Sequence, residues 1–165
     1  MALKLRETVE QDLLAVLAIE ADPDVAPWIT AWPLERHRNA ISDAGEAHMV
    51  FCERQETVGF LLLAGLRTPE RAVELRRIAL SRRGERLGTA ALDLALGYAF
   101  DVLGAVRVWL DVLPANTRAL RLYRSAGLLD EGLIEDAHLL PGGSLAALRL
   151  MSIRAEEWSP APERA

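Results

Sequence analysis

Cysteine and lysine are almost missing from this chain. Cys52 is the one cysteine among 165 residues, so no internal disulfide can form and a reducing compartment, the cytoplasm, is expected. Lys4 is the one lysine, and every other strongly basic side chain is arginine. No apolar run reaches the ~18 residues that a membrane-spanning helix needs. The opening "MALKLRETVEQD" has no long apolar stretch, so no signal peptide is expected from it. The net charge of −5 argues against a broad nucleic-acid surface, which would need a basic face. Neither nucleic acid nor membrane is expected as a partner. Apolar residues are plentiful at 51%, with 26% charged, the composition of a globular protein. The length suits one domain with one core, expected over residues 1–158, with residues 159–165 as a frayed tail.

Patterning gives the order of elements. "ALKLRETV" alternates and reads as a strand. A helix follows, capped by Thr8 or Glu10, with Leu13, Leu14, Leu17 and Ala18 assigned to one face. The Pro- and Trp-containing "PDVAPWITAWP" reads as a loop, and "LERHRNAISDAG" as a second helix stopped by Gly45. Two strands joined near Arg54 to Glu56 come next, then the strand "VELRRIALS". A long helix ends at Leu103-Gly104, and "AVRVWLDVL" is again a strand. "PANTRALRLYRSAG" is a helix with Asn116 or Pro114 near its start and Gly127 at its end. Two last strands flank the turn Pro141-Gly142-Gly143. The expected fold is α/β: a single-domain, mixed, mostly antiparallel sheet of six to seven strands flanked by helices. "LAALRLMSI" is expected at a sheet edge, where a second copy would pair, so monomer and homodimer both stay open.

One segment carries chemistry. In "SRRGERLGTAALDLALGYAF", residues 81–100, arginine and glycine crowd the start of a helix that a strand leads into. A helix N-terminus offers unpaired N–H groups and partial positive charge. An anion there is held by several donors at once, and arginines beside it add charge and paired donors. The segment lacks both GK[ST] and G-x-G-x-x-G, so a Walker loop and a dinucleotide fold are not indicated. A phosphate or pyrophosphate site stands against a plain strand-to-helix turn with solvated arginines.

This stretch resembles the pyrophosphate loop of the GNAT acyl-CoA N-acetyltransferases. That loop starts with Gln or Arg and closes with Gly or Ala, as Arg83-Gly84-Glu85-Arg86-Leu87-Gly88 does here. Arg86 departs from the family, which has glycine at that place. A second stretch, "WLDVLPANTRALRLYRSAGLLDEG", is similar to the family's later motif through Asn116, Ala119, Leu122, Tyr123, Gly127, Glu131 and Gly132. The branch resembled is the ribosomal-protein N-terminal acetyltransferases (RimJ/RimL-like).

The resemblance implies an acyl-CoA N-acyltransferase fold and an enzyme that moves the acetyl group of acetyl-CoA to a primary amine by direct attack. It implies no metal. The pantetheine arm would pair with backbone at Ile78, Ala79 and Leu80, and the pyrophosphate would sit on Arg83, Gly84, Glu85, Arg86, Leu87, Gly88 and Thr89. Tyr123 would be the general acid, and Asn116 would cap its helix and bond the CoA arm. Glu74 is the first choice of base, against a plain ion pair with Arg76 or Arg107, and Asp111 and Glu135 stand in reserve. Trp28 and Trp32 would line the acceptor groove or pin their loop to the core. The acceptor would be a protein N-terminus or a small amine. A second reading, a CoA-binding regulatory or degenerate member with little turnover, rests on Arg86. A third, a nucleotide-phosphate enzyme, lacks the lysine-serine pair.

Two residue types are set aside. Cys52 falls in a strand pattern and reads as core. His37, His48 and His138 lack metal-ligand spacing and are read as surface or capping residues.

Overall fold

The apolar stretch "TVGFLLLA" forms the middle of a sheet in the computed structural model, which describes residues 2–164, without the side chains of Glu85, Glu163 and Arg164. Its strand, β3 (Glu56–Ala64), has Leu61, Leu62 and Leu63 fully buried. A strand apolar on both faces needs cover on both, and helices supply it. On one face α1 (Leu13–Ala21) and α2 (Leu34–Ser42) sit over Val50, Cys52, Phe60 and Ala79. On the other, α3 (Glu85–Gly97) and α4 (Thr117–Ser125) cover Met49, Phe51, Leu61 and Leu63. Each fully buried Leu or Phe contributes about 1.5–3 kcal/mol, so these two layers hold the fold together.

The remaining strands are β1 (Lys4–Glu7), β2 (Glu46–Glu53), β4 (Ala72–Leu80), β5 (Arg107–Val112), β6 (Leu129–Leu139) and β7 (Leu145–Arg154). The seven-stranded sheet runs β1-β2-β3-β4-β5-β7-β6, and β4 with β5 is its parallel pair. The other pairs are antiparallel. The mostly antiparallel α/β fold and the order of elements thus agree with the expectation.

Four local readings are corrected. The buried face of α1 is Leu13, Val16 and Ile19, while Leu14 is 76% exposed, because the helix starts after a tight turn at Glu10–Asp12 that resets its phase. Val9 N donates to the Asp12 carboxylate there, so Asp12 caps the turn in place of Thr8 or Glu10. β7, expected at an edge, lies between β5 and β6, because the chain turns back at Leu140–Ser144 and slots inside, leaving β6 outermost. His37 and His48, read as surface or capping residues, are 0% and 4% exposed, because α2 and β2 bring them together over Phe60. Cys52 is buried as expected.

Residues 161–164, expected within a frayed tail, form one helical turn whose first amide donates to Asp93. Among the described residues no helix is long and apolar enough to cross a membrane.

Candidate active site

The sheet opens between β4 and β5. They pair only through Ala72↔Arg107, Val73↔Val108 and Glu74↔Trp109. Beyond Leu75 and Leu110 they diverge, and a groove of about 710 Å³ opens between them. A bulge in β4 accompanies the split: Leu63 faces Leu75 and Leu62 faces Arg77, leaving Arg76 as the extra residue. Bulges bend a strand and interrupt its ladder, which is how the β4 edge comes to face an empty groove. Ile78, Ala79 and Leu80 line that groove, with β3 on their other side. Their free edge is free for an extended ligand arm to pair as an added strand.

Close packing holds this end of β4 in place. Gly59 lies opposite Leu80, and a Cβ there would come 2.5 Å from the Ala79 carbonyl oxygen. The Ser81 amide and hydroxyl both reach the Val58 carbonyl, at 2.8 and 3.0 Å.

One end of the groove suits an anion. Gly84 begins α3 with φ at +148°, a conformation that favours glycine, and no side chain caps the helix. The first N–H groups of α3 are thus without side-chain partners. Arg82, Arg83, Gly84, Gly88 and Thr89 line this end, and Arg118 and Arg121 of α4 face it across the groove. Arg83 pairs with Asp24, and Arg82 with Glu53 and Glu56, all on the surface. The side chain of Glu85 lies outside the described residues. Arg86 and Leu87 turn to the far side of α3, into a separate hollow beside Trp158. Helical geometry explains this: Gly88 faces the groove, and Leu87 and Arg86, one and two positions before it, point to other sides of the helix. Arg118 and Arg121 were not singled out in the sequence.

Two carboxylates, a phenol and a histidine come together away from the start of α3, with Arg76 beside them. Asp111, Glu74, His138 and Tyr123 all line the groove there. Tyr123 is 8% exposed, and burial first, then the Asp111 charge, pushes its phenol up to about 12. Desolvation and the Glu74 charge raise the Asp111 carboxyl above its usual range, against the pull of His138 and Arg76. Glu74 is held by Arg76 at 2.8 Å, while Arg107 goes to Glu131. Asp111 forms no ion pair among the described residues. Glu135 lies on β6 and is not among the groove's lining residues. Asn116 caps α4 by accepting from Ala119 N at 3.2 Å and also lines the groove.

The segment between α1 and α2 closes the groove from the opposite face of the sheet. Trp28, Ile29 and Thr30 line it. Trp32, expected beside Trp28, is instead clasped between the Arg36 and Arg77 guanidinium groups, 4.0 and 4.2 Å from its ring centre. Cation–π contact on both faces keeps it out of the groove, so of the two tryptophans it is the one that pins the loop. Among the described residues, no cluster of three His, Cys, Asp or Glu is arranged to hold a metal.

The groove therefore combines an uncapped helix start lined by arginines, an unpaired strand edge, and a buried phenol beside two carboxylates. Residues 2–129 match the family model described as acetyltransferase (GNAT) domain. The chain is 26% identical over 157 residues to the spermidine N(1)-acetyltransferase of Escherichia coli (strain K12), covering 90% of this chain and 84% of that one. The spermidine N(1)-acetyltransferase of Vibrio cholerae is 26% identical over 110 residues, 66% of this chain and 64% of that one. The crystal structure of spermidine N-acetyltransferase from Vibrio cholerae in complex with CoA and spermine matches with a TM-score of 0.83 at 20% identity, over 94% and 96% of the two chains. At that identity the match speaks for the fold. The split strands, the uncapped glycine turn and the family match together make this chain a member of the GNAT acetyltransferase family, an N-acetyltransferase that uses acetyl-CoA.

Proposed function

We propose that the chain acetylates a cationic primary amine, with a polyamine as the first candidate acceptor. The observation that carries this reading is the Asp111 carboxylate, which lines the groove beside Glu74 and Tyr123 and forms no ion pair among the described residues. An ammonium is drawn to that carboxylate, and the CoA phosphates to the arginines. The spermidine acetyltransferases at 26% identity are in keeping with a polyamine. A protein N-terminus, the acceptor of the branch resembled in sequence, is the second candidate.

In this reading the pantetheine arm lies along Ile78, Ala79 and Leu80, and a backbone N–H there polarises the thioester carbonyl. The pyrophosphate rests on the start of α3, with Arg83, Gly84, Gly88, Thr89 and Arg118 around it. An amine with a pKa of ~8–10.4 arrives charged and must lose a proton before attack. Asp111 takes it, since Glu74 is committed to Arg76. The amine nitrogen then bonds the carbonyl carbon, the C–S bond breaks, and Tyr123 protonates the leaving thiolate. The proton that the nitrogen sheds on becoming an amide restores the Tyr123 phenol. Asn116 bonds the CoA arm in addition to capping α4. Glu85, Arg86 and Leu87 contribute backbone N–H groups, and the Arg86 and Leu87 side chains lie in the separate hollow, so the arginine that departs from the family does not impair the loop.

Thermal unfolding with acetyl-CoA, CoA, ATP and NAD tests the loop, because a ligand of the native state raises the melting temperature. A rise with the two CoA species alone is expected. Thiol release with spermidine, spermine and short peptides then ranks acceptors. Release with peptides and none with polyamines would overturn the first candidate. Replacing Arg86 with glycine decides the regulatory reading: unchanged CoA affinity is expected, and a large gain would indicate a weakened, degenerate site.

A further inference from the structure

A line of buried polar side chains lies behind the acceptor wall, and the chemistry above does not use it. The Thr8 hydroxyl meets His48 Nδ1 at 2.8 Å, and His48 Nε2 meets His37 Nδ1 at 3.0 Å. His37 Nε2 reaches the Glu20 carboxylate at 2.5 Å. The other oxygen of Glu20 accepts from Arg77 Nη1 at 3.1 Å, and the same Nη1 donates to the Thr30 carbonyl. Glu20, His37, His48 and Thr8 are each 4% exposed or less.

Burying a carboxylate is costly unless it is paired and fully hydrogen-bonded. Here one arginine and one imidazole satisfy it from two sides. With both imidazoles neutral, each link in the line has one donor and one acceptor, all donors pointing toward Glu20. The line ends on a guanidinium, which does not give up its proton. It is therefore no proton path out of the groove. Its outer end is mechanical: Arg77 belongs to β4 at the split, and Thr30 belongs to the segment that walls the groove.

We propose that Glu20 and Arg77 are positioning residues for the acceptor, clamping residues 22–33 onto β4 so that Trp28, Ile29 and Thr30 form the acceptor wall. This rests on the acceptor entering from the α1–α2 face, opposite the arginines of α3 and α4. A second tether, Asp24 to Arg83, joins two exposed side chains and contributes little by comparison. Trp32 adds to the clamp, because its ring lies on the Arg77 guanidinium.

Two variants separate positioning from plain stability. Glu20→Gln keeps the shape, but an amide accepts at one end only, so either His37 or Arg77 meets a donor. Arg77→Lys keeps the charge beside Glu20, and so the fold, but a single ammonium cannot reach Glu20 and Thr30 while lying flat on Trp32. Hydrogen exchange is followed with and without CoA, and kinetics with whichever amine the wild type acetylates. Residues 22–33 are expected to exchange at least tenfold faster in both variants, with α3 and α4 unchanged. The acceptor KM rises about tenfold, while kcat and CoA affinity stay within about threefold. Unchanged exchange in residues 22–33 of folded Arg77→Lys overturns the proposal, as does CoA affinity falling in step with acceptor KM. The exchange measurement needs no acceptor, so it decides the clamp even if the polyamine reading fails.

Discussion

Asp111 and Tyr123 are electrostatically coupled within the groove. Burial comes first and the Asp111 charge second in holding the Tyr123 phenol at about 12. A phenol at that value keeps its proton throughout the neutral range. It can act as a donor to a departing thiolate at any working pH, and the proton shed by the acetylated nitrogen restores it.

Replacing Tyr123 with phenylalanine should lower kcat by about 10²-fold or more, the usual contribution of a positioned acid. Acetyl-CoA affinity should be unchanged, since the hydroxyl alone is removed. Steady-state kinetics beside CoA calorimetry checks both. A kcat within threefold of wild type would remove Tyr123 from the mechanism.

Asp111→Asn and Glu74→Gln identify the base. If Asp111 takes the proton, its loss costs about 10²-fold in kcat and removes the rise of rate with pH that its ionisation produces. The raised Asp111 carboxyl places that rise above the usual carboxylate range. Glu74→Gln leaves Arg76 to its other partner, Glu46, and is expected to act mainly on acceptor KM. The opposite pattern would make Glu74 the base.

Gly59→Ala tests the packing behind the strand edge. The new methyl would meet the Ala79 carbonyl at 2.5 Å and a Leu80 methyl at 2.6 Å, and the first is backbone that cannot swing aside. Overpacking of this kind costs about 1–3 kcal/mol. Because the displaced residues are those that line the groove, acetyl-CoA KM should rise together with the loss in melting temperature. A stability loss with unchanged KM would separate this edge from cofactor binding.

His48 gives the protein a pH-dependent stability. Burial first and His37 second hold it down to about 4 from 6.5. The unfolded chain takes up a proton near pH 6.5 and the native chain resists until about 4, so stability falls as pH drops through that window. The loss from this group totals about 3 kcal/mol. Urea unfolding at pH 7 and pH 5 should show a smaller difference for His48→Gln than for wild type. Equal differences would mean that His48 already shares its proton in the native state.

Local pattern and local chemistry were readable in the sequence. Alternation and caps gave the order of strands and helices, because period two and period 3.6 arise within a few residues. The glycine turn of α3 and the Asn116 cap of α4 were readable for the same reason: each is satisfied by neighbours in the chain. Tyr123 could be singled out in the sequence because its motif is contiguous.

The tertiary structure decided whatever joins distant residues. His37 and His48 read as surface or capping residues in the sequence because nothing within one turn of either explains its burial. Their partners are Glu20, 17 positions from His37, and each other, 11 positions apart. Trp32 left the groove because Arg36 and Arg77 clasp it. The side of α3 to which Arg86 points, the arginines that α4 adds to the groove, and the slot of β7 inside the sheet depend on how whole elements pack. Packing is settled by the sum of buried surface and satisfied polar groups across the molecule, a quantity no short stretch of sequence contains.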